Sequence, residues 1–130
     1  MPRNISFALT TGQIRNQTKT VTRRLGWWKD KNGRQLLKAG DVLNACVKCM
    51  GLKPGESIER ICQIKVVRVG REPLESMATC VAGPDSEAGK EGFPEMTGAD
   101  FVEMFCQHMG CKPGCEVTRI EFEYVDGGEG

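Results

Sequence analysis

The run Ile58 to Val69 is dense in isoleucine and valine yet carries Arg60, Lys65 and Arg68, a pattern that suits a long β-strand with one wet face. A strand of that kind needs sheet partners, and the sequence offers them. Asn4 to Leu9 sets Ile5, Phe7 and Leu9 against Asn4, Ser6 and Ala8, and Thr18 to Leu25 alternates β-branched residues with long cations. Val42 to Met50 follows the turn Lys38-Ala-Gly-Asp41. Cys115 to Val125 turns Ile120, Phe122 and Tyr124 one way and Glu121 and Glu123 the other.

Helices are fewer and shorter. Thr10-Thr-Gly-Gln13 has the spacing of a capping box and predicts a helix to about Asn16. Pro73 to Met77 reads as one helical turn opened by proline. Thr97-Gly-Ala-Asp100 predicts a capped helix to Met109, with Phe101, Met104, Phe105 and His108 on one stripe. Residues 79–90, with Gly83, Pro84 and Gly89, are the least patterned and are expected to be a flexible loop. Strands and helices do not alternate as βαβ units. The expected class is therefore α+β: a small mixed or antiparallel β-barrel with two or three short helices at its mouth. At 130 residues, without repeat or linker, the chain reads as a single domain over 1–130, with a core of about 4–125 and a frayed tail at 126–130.

Lysine and arginine number 18 against 17 acids, so bulk charge does not argue for a nucleic-acid partner and only a local patch could. Such a patch is available, because between Arg3 and Lys38 the only acid is Asp30. No apolar run reaches membrane-spanning length and no signal-peptide core opens the chain, which predicts a cytoplasmic protein with no membrane partner. Oligomeric state is not legible.

The chemistry is concentrated in Asn16 to Trp28, which holds Thr18, Thr20, Thr22, Lys19, Arg23, Arg24 and both tryptophans. Strand parity sets Lys19 and Thr22 on opposite faces, so a site using both needs a turn or bulge between them. Gly26 to Gly33 reads as an exposed loop, in which at least one of Trp27 and Trp28 serves as a lid, a stacking surface or a cap. Cys46 and Cys49, with Cys111, Cys115 and His108, invite a zinc reading, but the first pair falls inside a strand. Seven cysteines without a signal peptide are better read as reduced thiols packing as small hydrophobes, and neither metal nor cofactor is expected. His108 ends an amphipathic helix, where a protonated ring suits the dipole.

Taken in order, these parts resemble the ASCH domain: Lys19-Thr-Val-Thr-Arg-Arg after a short helix, Gly40-Asp41-Val42, the long Ile/Val strand, Glu91-Gly-Phe93, a capped helix and a closing Ile-Glu-Phe strand, over about Asn4 to Tyr124. The extension through Leu25-Gly-Trp-Trp28 looks like the version common in phages and prophages. The resemblance implies a PUA-like barrel with a cleft between barrel and helices, taking RNA or a nucleoside-type ligand. Thr20, Arg23, Arg24, Trp27 and Trp28 would bind that ligand in a basic cleft, since bases stack on indoles and guanidinium planes and phosphates pair with arginine.

A small bacterial family member is an amidohydrolase of N4-acetylcytidine that uses a lysine, a threonine three residues later and a downstream glutamate. Lys19 and Thr22 keep that spacing, Glu91 is the chosen carboxylate and Glu95 its rival, while the family's glycine two positions before the lysine is Gln17 here. In that reading Lys19, desolvated near Arg23 and Arg24, is the base that activates the Thr22 nucleophile, and Glu91 passes a proton to the leaving amine. The amine and hydroxyl are expected within hydrogen-bond reach or one water apart. The competing readings are binding without chemistry, with Lys19 and Arg23 holding a phosphate, and a protein-binding accessory factor of phage origin.

Overall fold

The computed structural model describes residues 3–47, 54–55 and 58–125. Its longest strand is β4, Arg60–Pro73, whose Ile64 and Val66 are buried while Lys65, Val67 and Arg68 face solvent. β4 pairs antiparallel with β3, Val42–Cys46, on one side and with β5, Glu116–Tyr124, on the other. β1, Arg3–Ser6, adds parallel to β3, and β2, Val21–Arg24, adds antiparallel to β5, giving the order β1-β3-β4-β5-β2. The result is a mixed five-stranded half-barrel. Register shifts at Ala45/Cys46 and Val66/Arg68 mark where the sheet bends. Inside the curve lie Ile5, Phe7, Ile14, Leu37, Leu43, Ile64, Ile120 and Phe122.

Three helices complete the described chain: α1, Thr11–Arg15; α2, Glu87–Lys90; and α3, Gly98–Met109. A 3-10 turn, Leu74–Met77, follows β4. α3 carries the predicted capping box, with Thr97 accepting from the Asp100 amide and Asp100 accepting from the Thr97 amide, and it stops at left-handed Gly110. Its Phe101, Val102 and Phe105 pack with Leu74, Met77, Ala88 and Val117 into a second core.

The structure corrects three local expectations. β1 ends at Ser6, and Leu9 is 59% exposed because the Thr10 amide turns back to the Phe7 carbonyl. Thr10 makes no side-chain cap on α1; the neighbouring Thr11 hydroxyl bonds the Phe7 carbonyl instead. The stretch expected to be a loose loop contains α2, held by the Ser86 hydroxyl accepting from the Gly89 amide. The end of the predicted strand to Met50, Cys49 and the tail 126–130 lie outside the described residues.

Candidate functional site

Lys19 is fixed by backbone before its side chain is considered. Gln17 adopts a left-handed φ of 60°, where the related pattern has glycine, and turns the chain out of α1. The Lys19 carbonyl then accepts from the Tyr124 hydroxyl at 2.6 Å, and the Thr20 amide donates to the Lys90 carbonyl at 2.8 Å while its carbonyl accepts from Phe122. The β2 ladder starts only at Val21. Lys19 therefore lies ahead of the strand, and alternation does not separate it from Thr22.

Glu91 is the C-cap of α2, and its placement follows from the tie between Thr20 and Lys90. Gly89 permits that seat, since a Cβ there would stand 2.1 Å from the Gly83 carbonyl oxygen. The Lys19 Nζ donates to the Glu91 carbonyl oxygen and to its Oε1, both at 2.7 Å, with both side chains buried. Arg23, whose side chain is 1% exposed, uses its three nitrogens on three carboxylates: Nε on Glu72 at 3.0 Å, Nη1 on Glu91 at 2.9 Å and Nη2 on Glu87 at 2.5 Å. Arg119 continues the network through Glu87 and Glu121.

Lys19, Thr22, Arg23, Arg24 and Glu91 share one cavity of about 220 Å³ between the end of β1, β2 and α3. Its other wall is apolar, with Phe7, Phe93, Phe101 and Phe105, and with Leu9, His108 and Met109 at the margin. Thr22 is buried, and its Oγ1 accepts from Arg24 Nε at 3.0 Å. Arg24 also donates to the Ser6 carbonyl and lies over the Phe7 ring. Lys19 and Thr22 both line this cavity, with the Lys19 amine directed to Glu91 rather than to the Thr22 hydroxyl.

Burial lowers the Lys19 pKa from its ordinary value, with Arg24 and Arg23 adding to the fall and Glu91 opposing it. Burial works against the ionised Arg23 too, yet Glu91, Glu87 and Glu72 outweigh it and hold Arg23 cationic. Burial would raise Glu87, but hydrogen bonds from Arg119 and Arg23 prevail and bring it down to about 2. Since the folded value lies below the ordinary 4.5, Glu87 contributes stability that is present above about pH 4.5 and is lost as the pH falls through about 2. Tm measured from neutral pH down into that window should fall less steeply for Glu87→Gln than for the parent; parallel curves would contradict the assignment.

The expected basic cleft is corrected: the Lys19 and Arg23 charges are matched by buried or half-buried carboxylates, leaving a mostly apolar chamber. Glu91 is brought to Lys19, whereas Glu95 is exposed. The Thr20 side chain does not line the chamber. Neither do Trp27 and Trp28, because left-handed Gly26 and Trp27 carry the loop to a separate depression with Lys29 and Arg71. Glu72 and Glu87, which reach Arg23 only through the fold, and Arg119, which joins the network through Glu87, escaped sequence reasoning. Among the described residues no group of three or more His, Cys, Asp or Glu is arranged to hold a metal ion, and no helix is long and apolar enough to cross a membrane.

No family model matches the chain, and no curated protein matches it in sequence. Solved structures do. A DUF984 protein from Enterococcus faecalis superposes with a TM-score of 0.59 at 17% identity, over 97% of this chain and 81% of its own. An ASCH domain from Lactobacillus crispatus superposes with a TM-score of 0.57 at 15% identity, over 94% of this chain and 78% of its own. Likeness at such identities is likeness of backbone, and the half-barrel with its helices is accordingly an ASCH-type fold.

Proposed function

We propose that the cavity binds a nucleoside-type ligand with its base inward. The observation that carries this reading is the division of the chamber into an aromatic wall and one polar wall of Lys19, Thr22, Arg24 and Glu91. Flat rings stack on the first, and the edge of a base meets donors and acceptors on the second. A volume of about 220 Å³ is below the roughly 300–1,000 Å³ of drug-sized pockets. It suits a single base with its sugar at the mouth, not a strand of RNA. The phage-type assignment rests on the Lys19 to Trp28 run alone.

A second reading, hydrolysis of an N4-acylated cytidine, is favoured by one observation: a lysine whose pKa is lowered by burial shares the chamber with Thr22 and a carboxylate. Neutral Lys19 would take the Thr22 proton as the hydroxyl attacks the acyl carbon, and Glu91 would relay it to the departing amine. Water would then release the acyl group. A substrate entering between the two side chains has to draw the amine partly away from Glu91.

Saturation-transfer NMR with cytidine and N4-acetylcytidine tests both readings. Binding should be nearly insensitive to salt, because cytidine and N4-acetylcytidine carry no net charge and the Lys19 and Arg23 cations already have a carboxylate partner. Phe101→Ala should weaken binding. If turnover occurs, Lys19→Ala, Thr22→Ala and Glu91→Gln should each abolish cytidine release, with similar losses because the three act as a unit. Binding without release leaves the first reading standing; no binding of any nucleoside removes both.

A further inference from the structure

We propose that Lys19 captures a small aldehyde carried on a flat ring, condensing with it to an imine inside the chamber. The inference uses the cavity but not the nucleoside reading, and it casts Lys19 as a nucleophile instead of a base. It starts from how the amine is held. A neutral lysine nitrogen has two N–H bonds and one lone pair. Lys19 Nζ donates twice to one residue, to the carbonyl oxygen and to Oε1 of Glu91, each at 2.7 Å. With both protons so engaged, the lone pair is what the neutral nitrogen keeps for a ligand, and Lys19 lines the chamber.

Charge favours that neutral form. Glu91 already holds a permanent cation, with Arg23 Nη1 at 2.9 Å from its Oε2, so a protonated Lys19 puts a second positive charge on one carboxylate whose side chain is 3% exposed. Around the amine stand Glu91 at the end of α2, Arg23 and Arg24 of β2, and His108 of α3 at the chamber margin. Burial pulls the Lys19 pKa down against the opposing pull of Glu91, and the two arginines add to the fall. A neutral share therefore persists at a pH where exposed lysines are almost wholly protonated. The opposite wall selects the carbonyl compound. Phe7, Phe93, Phe101 and Phe105 offer aromatic surface, and about 220 Å³ admits a single ring with its formyl group turned to the polar side.

The condensation balances with the groups present. The nitrogen lone pair forms the C–N bond as the carbonyl π pair moves to oxygen, and one N–H proton passes through Glu91 Oε1 to that oxygen, giving a carbinolamine. The C–O bond then breaks with loss of water, which carries off the second N–H proton by the same route, and a C=N bond is left. Neither an oxidant nor a reductant takes part.

The test needs no variant. The full chain at neutral pH is incubated with benzaldehyde and sodium cyanoborohydride, which reduces an imine to a stable amine, and the adducts are located by peptide mass spectrometry. Lys19 should carry roughly tenfold more label than the exposed Lys29, Lys31, Lys65 and Lys112. That excess should shrink as the pH rises towards about 10, where exposed amines lose their protons. It should vanish in urea, since the fold is its cause. With propanal, which has no ring to lay on the aromatic wall, the ratio of Lys19 to exposed lysines should fall several-fold. The proposal is overturned if Lys19 takes no more label than the exposed lysines, if the excess survives in urea, or if propanal gives the same ratio as benzaldehyde. Trapping at Lys19 without nucleoside binding by NMR removes the nucleoside reading alone, and nucleoside binding without excess label at Lys19 removes this one alone.

Discussion

Arg23→Met should lower the unfolding free energy by about 3–5 kcal/mol, the scale set by removing one member of a buried charge pair. Of the three carboxylates it would abandon, Glu72 and Glu87 keep 27% and 25% side-chain exposure and can take up water. Glu91 keeps 3% and cannot. Lys19 alone would then have to balance it. Arg23→Lys should rescue little, because an ammonium does not reproduce three nitrogens aimed at three carboxylates. The internal control is Arg15→Met: its partner Glu59 and Arg15 itself are 63% and 53% exposed, and the loss should stay within about 1 kcal/mol. Urea unfolding of the variants decides the matter, and equal effects at Arg23 and Arg15 would refute the buried network.

Gly98→Ala should be as damaging by a wholly different route. Gly98 opens α3 with its amide on the Cys80 carbonyl at 2.8 Å, and an added Cβ would stand 1.7 Å from the Met77 carbonyl oxygen. Backbone on one side or the other must move, and the expected cost is at or above the upper end of the roughly 1–3 kcal/mol usual for overpacking. Because α3 supplies Phe101, Met104 and Phe105 to the chamber, ligand binding should fall with stability. Gly12→Ala, in α1 with open space around it, should instead stabilise by about 0.4–1 kcal/mol. Thermal melts of the two alanine variants should thus move in opposite directions.

What the sequence disclosed depended on how locally each feature is encoded. α3 was legible because its cap, stripe and terminal glycine all lie within a few turns, and β4 and β5 because their alternation runs long enough to count. α2 was hidden by its length, since four residues carry no period. Thr10 shows the opposite failure, a capping spacing whose hydroxyl the fold does not use. Lys19, Thr22 and Glu91 were picked out by resemblance, and residue types alone would not have joined a carboxylate after α2 to a lysine before β2. The partners of Arg23 carried no local signal at all, so a residue expected to meet ligand phosphate turned out to face Glu72, Glu87 and Glu91. At least one tryptophan was expected to serve as a lid, a stacking surface or a cap, but the left-handed pair at Gly26 and Trp27 that carries them away from the chamber was not read from the sequence.

The register of β2 bears on how the protein is made. Val21 pairs with Glu121 and Thr22 with Ile120, so among the described residues the strand that carries the site has one sheet neighbour, β5, which comes much later in the sequence. During synthesis β3 and β4 can close on each other early, whereas β2 has to wait for β5 to be translated. Until then the nascent chain holds Lys19, Thr22 and Arg23 without the sheet that aligns them, and a truncation that deletes β5 removes the chamber while leaving every residue that lines it in place.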